Sequence, residues 1–498
     1  MYWTYLWPFL FVIFLAGCTV GPRYESPQID MPTEWHTPPS EGMSTADLDC
    51  FLWWESLRDP LLNSLLQRAA QQNLDLFIAG HRILEARLER KGKTADLYPH
   101  IDGSVTAGHL YWSKDVLKDA ICASHSHSSK RNVSFFEAGF DADWEIDLFG
   151  FHKHEANAAQ ARLEAAEENL SDIWITLSAE IARNYIELRG LQQRKRLLSK
   201  NIENLQDSVH LTRELLTIGM ASAPDLLQVE EQLSLLISQK PLLDLSIDKA
   251  IHRLSILLGY APGELFAELC EPQELPHLPC EKPLGLPSEL LRRRPDIRKA
   301  ERNLAAATEA VGSAVAALFP RFSLHGFVGE ISTQLHSLIN GNGITWFAAP
   351  QLLFPIFNSR LLTQDVEMNK LQARQALFEY QKTVLAALEE VENAMASFRH
   401  EMERNEQLKH VQSFDQEAYQ LTLQLYHRGI KDYLEVLTRN RTLLLAEENA
   451  LQGQVNLLLH YISLYKALGG GWDISQCLTE NIQQRVSRLP QNVGKAKN

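Results

Sequence analysis

Apolar residues recur at alternating steps of three and four along much of the chain, which is the spacing of a coiled-coil seam. The clearest series is Val384, Leu388, Val391, Met395, Phe398 and Met402. A second series in the same frame begins at Leu177 and ends at Leu216. Because no proline interrupts 151–223 or 359–470, these series predict very long helices, and one over 151–216 would measure roughly 100 Å. Such helices must pack side by side, although the helical period alone also fits an all-α bundle without a channel.

Four shorter segments alternate apolar and polar residues with a period of two, as β-strands do. In 136–144, aromatic residues and alanine alternate with glycine and acidic residues, so Glu137, Asp141 and Asp143 share one face. Similar alternation predicts strands at 101–112 and 321–329 and, less cleanly because of Pro350, at 344–356. Strands of this length with one apolar and one polar face are typical of a transmembrane β-barrel. An ordinary half-buried hairpin is the alternative.

The number of predicted strands limits how such a barrel could form. A barrel in lipid has every backbone group paired, and single-chain barrels begin at about eight strands. Four strands are too few to close one, so strands that cross a membrane would have to be pooled by several copies. The count alone permits either two or three chains.

The chain repeats its landmarks in the same order, which predicts two structural repeats. The LYP at 97–99 corresponds to the LFP at 318–320, roughly 220 positions later, and Gly219 corresponds to Gly429, roughly 210 positions later. The predicted divisions are a signal peptide at 1–17, a lipid-anchored segment at 18–59, repeat 1 at 60–258, a linker at 259–286, repeat 2 at 287–469 and a C-terminal tail at 470–498. Repeat 1 is expected to contain a helix over about 60–94, a β-hairpin over 100–144, and long helices that meet at a tip near Gly219. Repeat 2 is expected to contain a helix over 287–316, a β-hairpin over 319–356, and long helices that meet at a tip near Gly429.

Composition excludes some functions. The chain is 45% hydrophobic and carries a formal net charge of -14. An acidic chain without a basic tract is not expected to bind nucleic acid.

The first residues predict export and lipid attachment. Residues 5–17 form an apolar run that is too short to span a bilayer and is typical of a secretory signal. The run ends in Leu-Ala-Gly before Cys18, which resembles a lipobox, so we expect a covalent lipid such as palmitate on Cys18. Residues 1–7 contain no Lys or Arg, and the positive charge expected there rests on the terminal amine.

Five other cysteines are too sparse for a disulfide scaffold. Cys270 and Cys280 flank a proline-rich stretch and either close a small loop or stay free. Cys122 lies near His125 and His127, a pattern that a soft metal ion could use, but a polar loop is the favoured interpretation. No metal site, cofactor or catalytic residue is predicted, beyond the lipid on Cys18.

Six blocks spread over nearly the whole mature chain are characteristic together. They are CTVGPRY at 18–24, WEIDLFG at 144–150, GLPSELLRRRPDIRKAE at 285–301, ALFPRFSL at 317–324, FPIFNSR at 354–360 and YKALGGGW at 465–472. With them the chain resembles the outer membrane factor family, the TolC-like efflux channels, and most closely its NodT/OprM-like lipoprotein branch.

The resemblance implies a fold that is mainly α with a membrane β-barrel. Three chains would form a 12-stranded barrel in the outer membrane of a Gram-negative bacterium and a 12-helix tube in the periplasm, anchored by lipid. Family members conduct drugs, detergents, dyes, metal ions or proteins outward, together with a periplasmic adaptor protein and an inner-membrane transporter, and drugs or other small toxic compounds are the cargo expected here. An RND-type transporter is expected here in preference to an ABC type.

The resemblance also assigns a gate to the helical tips. Near the turns, family members hold the tube closed with a tyrosine, a basic residue and acidic residues. The matching positions are Tyr426, Lys431, Glu435 and Asp225, and Asp432 is an additional candidate. Thr438 stands where some members carry a second aspartate, so a double acidic ring is not expected. Each of these side chains could instead be a solvated charge at a helix end.

Two further sets of residues complete the predicted site. By family analogy the adaptor docks at the tips themselves, on Gly219, Met220, Arg428, Gly429 and Ile430. The acidic face of the strand over 136–144, with Glu137, Asp141 and Asp143, is expected to line the lumen of the barrel.

Three classes of function remain at this stage. The leading hypothesis is a passive efflux duct, and the alternatives are the exit duct of a type I protein secretion system and a periplasmic coiled-coil scaffold lipoprotein. An enzyme is not expected, because the sequence contains no GxxxxGK[ST], HExxH or GxSxG motif.

Overall fold

A computed structural model describes residues 19–38, 43–44, 52–111, 132–279, 282–283, 287–336, 344–357 and 359–471. This part of the chain is mainly α-helical and contains one four-stranded sheet and one two-stranded pair. In chain order the elements are β1 Met43–Ser44, α1 Pro60–Gln72, α2 Leu74–Ala95, β2 His100–Tyr111, β3 Asn132–Ile146, α3 Phe151–Thr217, α4 Ala223–Leu257, α5 Phe266–Leu269, β4 Lys282–Pro283, α6 Leu290–Arg293, α7 Pro295–Ala316, β5 Arg321–Ser332, β6 Ile344–Leu353, α8 Ser359–His427 and α9 Tyr433–Ala467.

The four predicted strands are present and form one antiparallel sheet in the order β2-β3-β5-β6. The sheet therefore joins the two predicted hairpins through the β3-β5 pair. Pro350 lies in β6, which is an edge strand of this sheet, and an edge is where a strand tolerates a residue without a backbone N–H.

The predicted long helices are also present. The helix expected over 151–216 is α3, which has 67 residues, and α8 has 69. Along α8 the coiled-coil seam is buried, since Val384, Val391, Met395 and Phe398 are each at most 1% exposed.

The helix expected over 60–94 is wrong in one respect, because the structure has two helices that are separated at Asn73. The Asn73 side chain accepts a hydrogen bond from the backbone N–H of Leu76 and donates one to the carbonyl of Leu257. Asparagine competes with the helix for backbone groups in this way and so favours helix ends.

The helix expected over 287–316 is likewise interrupted. A 3-10 turn at Pro287–Glu289 and the short α6 precede α7, which begins at Pro295. Arg294 has an extended backbone, as the residue before a proline usually does.

Two compact units can be distinguished. Unit 1 comprises Met1–Pro27, Leu84–Ala165 and Glu301–Glu379, and unit 2 comprises Gln28–Ile83, Ala166–Ala300 and Tyr380–Asn498. Unit 1 contains the four-stranded sheet, and unit 2 contains both helical tips.

The core of unit 2 includes an aromatic cluster. Trp53 stacks on Tyr465 with ring centroids 5.7 Å apart, and Trp54 meets Trp174 edge to face at 6.1 Å. Trp53 and Trp54 are almost fully buried, so both side chains contribute to the packing of this unit.

The N-terminal segment is docked in unit 1. The backbone N–H of Val20 donates to the carbonyl of Phe149, and the two ring nitrogens of His154 contact the Val20 carbonyl and the Glu309 carboxylate at 2.9 and 2.7 Å. The hydrogen bond to Glu309 raises the pKa of His154, against the effect of burial. Among the described helices, none has an apolar stretch long enough to cross a membrane.

Candidate functional site

The two helical tips of unit 2 have the same backbone design. Gly219 and Gly429 have φ of 79° and 72°, which glycine adopts without steric cost. After each glycine, the next backbone N–H reaches back five residues, from Met220 to the carbonyl of Leu215 in the first tip. This is the Schellman ending of a helix, which reverses the chain in a few residues.

The tips differ in how their second helix begins. In the first tip, Ser222 and Asp225 form a reciprocal capping box at the start of α4. The Asp225 carboxylate accepts hydrogen bonds from the backbone N–H and the hydroxyl of Ser222, at 2.8 and 2.6 Å. These bonds lower the pKa of Asp225. The predicted gate residue Asp225 is therefore engaged within its own turn, and the structure does not pair it with Lys431.

In the second tip the charged side chains pair with each other. Lys431 Nζ lies 2.6 Å from Glu435 Oε1, and both side chains are about two-fifths exposed. Asp432 is the N-cap residue of α9, but its side chain makes no capping hydrogen bond. The structure thus brings Lys431 and Glu435 together and leaves the Asp432 carboxylate out of the cap.

Two aromatic side chains pack against each other at the second tip. The ring of Tyr426 lies 5.2 Å from the ring of Tyr433. Tyr433 packs against a cluster of buried apolar residues that includes Val209 and Val229, and burial raises its pKa. Sequence reasoning did not identify Tyr433. The position of Tyr433 in the first turn of α9, on the buried side of the helix, could have indicated it. Sequence reasoning also missed Ser222, which the S-x-x-D pattern of a capping box could have found.

A cavity of about 530 Å³ lies between the two tips. Its lining includes the predicted residues Met220, Asp225, Tyr426, Gly429, Lys431 and Asp432. The tip residues Met220 and Ile430 are 75% and 64% exposed. A Cβ atom added at Gly219 or Gly429 would meet no other atom within 4 Å, so the turns themselves are open to a partner.

The sheet of unit 1 has one polar face. Residues directly opposite each other in an antiparallel pair share a face, and Asp141 lies opposite Asp102 on β2 and Phe327 on β5. Glu137, Asp141 and Asp143 are on this face. Asp141 accepts a hydrogen bond from Ser104.

The same face carries further groups that sequence reasoning did not identify. Asp143 pairs with His325 at 3.1 Å. Phe327 is almost fully buried and stacks on Phe347 with ring centroids 6.0 Å apart. Phe327 covers Gly139, where an added Cβ would lie 2.7 Å from its ring. Phe135 and Ile331 also belong to this face, so apolar side chains interrupt the polar face at more than one place.

The opposite face of the sheet is mainly apolar and exposed. Its apolar members come from all four strands and are from 51% to 83% exposed: Ile101, Val105, Phe140, Val328, Ile344 and Trp346. His109 and Glu330 also belong to this face. An exposed apolar surface of this kind marks a site that contacts a partner or lipid.

The remaining predicted residues give less information. Cys18, Cys122, His125, His127 and Cys280 lie outside the described residues. Cys270 is exposed and its thiol is free.

Comparisons with known proteins agree with these features. Relatives include Nodulation protein T of Rhizobium leguminosarum bv. trifolii, which is 28% identical over 94% of this chain and 97% of the relative. The solvent efflux pump outer membrane protein SrpC of Pseudomonas putida is 29% identical over 94% of this chain and 98% of its own. Among solved structures, the outer-membrane channel OprN has a TM-score of 0.84 and 32% identity, and the match covers 91% of this chain and 100% of OprN. The family model for outer membrane efflux proteins matches residues 65–260 and 286–470, and the chain belongs to this family.

Proposed function

We propose that three copies of this chain form the outer-membrane exit duct of a tripartite efflux system. Drugs, solvents or other small toxic compounds would pass through it passively from the periplasm and the pump to the exterior. The duct performs no catalysis, uses no cofactor and takes its energy from its partners.

The two-faced sheet is the observation that carries this proposal. A sheet with an uncovered apolar face and an acidic, hydrogen-bonded face fits a wall between lipid and water. Glu137, Asp141 and Asp143 would then border the lumen, while Val105 and Trp346 would face lipid.

The strand count supports pooling by several copies. Within the described residues, β2 and β6 each pair with one neighbour only, so the sheet has two open edges. Open edges are not tolerated in lipid. Joining β2 of one copy to β6 of the next would remove every edge, and three copies would give the 12-stranded barrel.

An exposed seam on α8 supports the same assembly. Leu361, Met368, Leu371 and Phe378 advance by steps of three and seven and are 51% to 65% exposed. A coiled-coil seam without cover in the monomer requires a neighbouring helix. In the trimer, helices of a second copy would cover this seam.

The gate of the duct is proposed to lie at the tips. Around a threefold axis, three carboxylates at Glu435 would repel one another unless a cation pairs with each. Lys431 supplies that cation from within the same chain. Tyr426, Asp225 and Asp432 complete the proposed gate, and the open turns at Gly219, Met220, Arg428, Gly429 and Ile430 are the proposed surface for the periplasmic adaptor.

The relatives favour a pump for small molecules over a secretion system. SrpC is named as part of a solvent efflux pump, and the chain matches nearly its whole length. We therefore expect an adaptor and an RND-type inner-membrane transporter as partners, and lipid on Cys18 as an additional anchor.

Crosslinking in cells tests this proposal. Cysteines placed at the outer edges of β2 and β6 should form covalent trimers in the outer-membrane fraction, and a pull-down of that species should recover an adaptor and a transporter. The matched control places the pair on β3 and β6, which have no shared edge. Monomers alone, or recovery in the soluble periplasmic fraction, would reject the duct.

A further inference from the structure

A second polar cluster lies in unit 1, where α2 ends and α3 begins. Asp96 follows the last residue of α2, His152 belongs to the first turn of α3, and Glu155 follows three residues later in the same helix. One ligand atom from each of these three side chains lies within 4.8 Å of the other two. All three side chains are half-buried.

The imidazole of His152 is the least satisfied member of the cluster. Both of its ring nitrogens are buried and have no hydrogen-bond partner among the described residues. Glu145 is within ion-pair range, with Oε2 3.6 Å from His152 Nε2, which is too long for a hydrogen bond. Buried polar atoms in folded proteins normally have a partner, and an orphaned nitrogen that faces two carboxylates points to a ligand.

The charges around His152 favour a cation. Three carboxylates face the ring, from Asp96, Glu155 and Glu145. Two basic side chains oppose them: Lys93 Nζ lies 3.0 Å from Glu155 Oε2, and Arg321 Nε lies 3.9 Å from Glu145 Oε1. The carboxylates around the imidazole of His152 thus outnumber these basic groups by one.

We propose that Asp96, His152 and Glu155 bind a divalent transition-metal ion of the Zn²⁺ class. One imidazole nitrogen and two carboxylate oxygens form a ligand set that Zn²⁺ accepts, with water in the remaining position. The proposal departs from the sequence-based expectation that the chain has no metal site.

The predicted repeat provides an internal comparison. The positions that correspond to the three ligands in the second repeat are Ala317, Arg360 and Thr363, which cannot form such a site. The repeated fold therefore does not require this set of residues, and their convergence in the first repeat is specific to it.

A bound ion would act as a clip at the base of the first hairpin. It would join the end of α2 to the start of α3 and so close the segment that contains β2 and β3. Because the ion would bind the folded state alone, it would raise the stability of that state. The site is structural and is independent of the proposed transport activity.

Zinc binding by the full-length protein in detergent tests the site. Titration with Zn²⁺ in a chelator-buffered solution should give about one tight site per chain, with a rise in the melting temperature. His152→Ala should weaken this site at least about tenfold, because it removes the only nitrogen ligand. Glu89→Gln is the matched control, since Glu89 is exposed on α2 and pairs with Arg162 instead.

Two further variants keep the test decisive. Asp96→Asn removes a charged ligand with little change in shape and should weaken binding even if His152→Ala does not fold. Lys93→Met should strengthen binding, because it removes the ammonium group that competes for Glu155. Wild-type affinity in both ligand variants, or weaker binding in Lys93→Met, would overturn the proposal.

Discussion

Lys431 and Glu435 form an ion pair at the second tip, with 2.6 Å between Nζ and Oε1. The pair joins the turn after Gly429 to the first turn of α9, which begins at Tyr433. An exposed ion pair typically contributes only about 0.2 to 1 kcal/mol to stability. Its proposed importance is therefore the charge balance of three tips in the assembled duct and not the stability of one chain.

Removing either partner should open the gate, because the charge that remains is left unpaired in all three copies around the axis. Lys431→Met leaves three unpaired carboxylates, and their repulsion should raise single-channel conductance and antibiotic leakage while trimers persist. Lys370→Met is the control, because Lys370 and Glu367 form an exposed pair on α8, away from the tips. Wild-type conductance in both Lys431→Met and Glu435→Gln would show that this pair is not part of the gate.

The tip glycines should be sensitive to a single methyl group. Gly219→Ala and Gly429→Ala place an L-residue at positive φ, which costs about 1 to 2 kcal/mol even though the added Cβ has room. Hydrogen exchange at the tips should accelerate accordingly.

Gly92→Ala provides the opposite result. Gly92 lies inside α2, and an added Cβ there also meets nothing within 4 Å, so alanine should stabilise the helix by up to about 1 kcal/mol. Equal behaviour of the three variants would contradict the backbone argument.

The docking of the N-terminal segment should depend on pH through Glu301. Tyr24, Ser26 and Arg302 each donate to Glu301 Oε1 at 2.9 to 3.0 Å. Burial acts to raise the pKa of Glu301, but these donors outweigh it and the pKa is lowered. A carboxyl group whose pKa is lower in the folded state contributes stability above its unfolded pKa, and this contribution is lost as the pH falls through the folded value.

Glu301→Gln should therefore destabilise the protein at pH 7 by about 1 to 2 kcal/mol, and the difference from wild type should shrink as the pH falls below about 4.3. Thermal unfolding at both pH values measures it. Glu89→Gln should show little difference at either pH, and a deficit for Glu301→Gln that does not change with pH would refute the assignment.

An added cationic side chain should impair assembly on one face of β2 and be tolerated on the other face. Val105→Arg places a cation on the apolar face, where a membrane centre would impose about 2 to 4 kcal/mol, and assembly in the outer membrane should fall. Thr106→Arg, on the neighbouring residue of the polar face, should assemble normally. The amounts of trimer in outer-membrane fractions measure both, and equal loss in the two variants would argue against a lipid-facing surface.

Local patterns in the sequence predicted much of this fold. The period of two and the three-four spacing predicted the four strands and the long helices, because side-chain periodicity follows directly from backbone geometry. The breaks at Asn73 and Arg294 escaped prediction, because each depends on competition between a side chain or a proline and an otherwise helical pattern.

The sites were less predictable, because they depend on contacts between distant residues. Lys431 and Glu435 are only four positions apart, so their pairing could be anticipated from the local sequence. The capture of Asp225 by Ser222 required attention to the capping box, and the stacking of Phe327 on Phe347 depends on strand register. The cluster of Asp96, His152 and Glu155 combines a residue that follows α2 with two residues of α3, and no sequence spacing indicates that they meet.

Single-channel recording in planar lipid bilayers tests whether the acidic face of the sheet lines a water-filled pore. We expect discrete conductance steps with a preference for cations under a salt gradient. Replacing Asp141 and Asp143 together by asparagine should reduce that preference without abolishing the steps. An absence of conductance from correctly folded trimers, or an unchanged ion preference in the double variant, would contradict it.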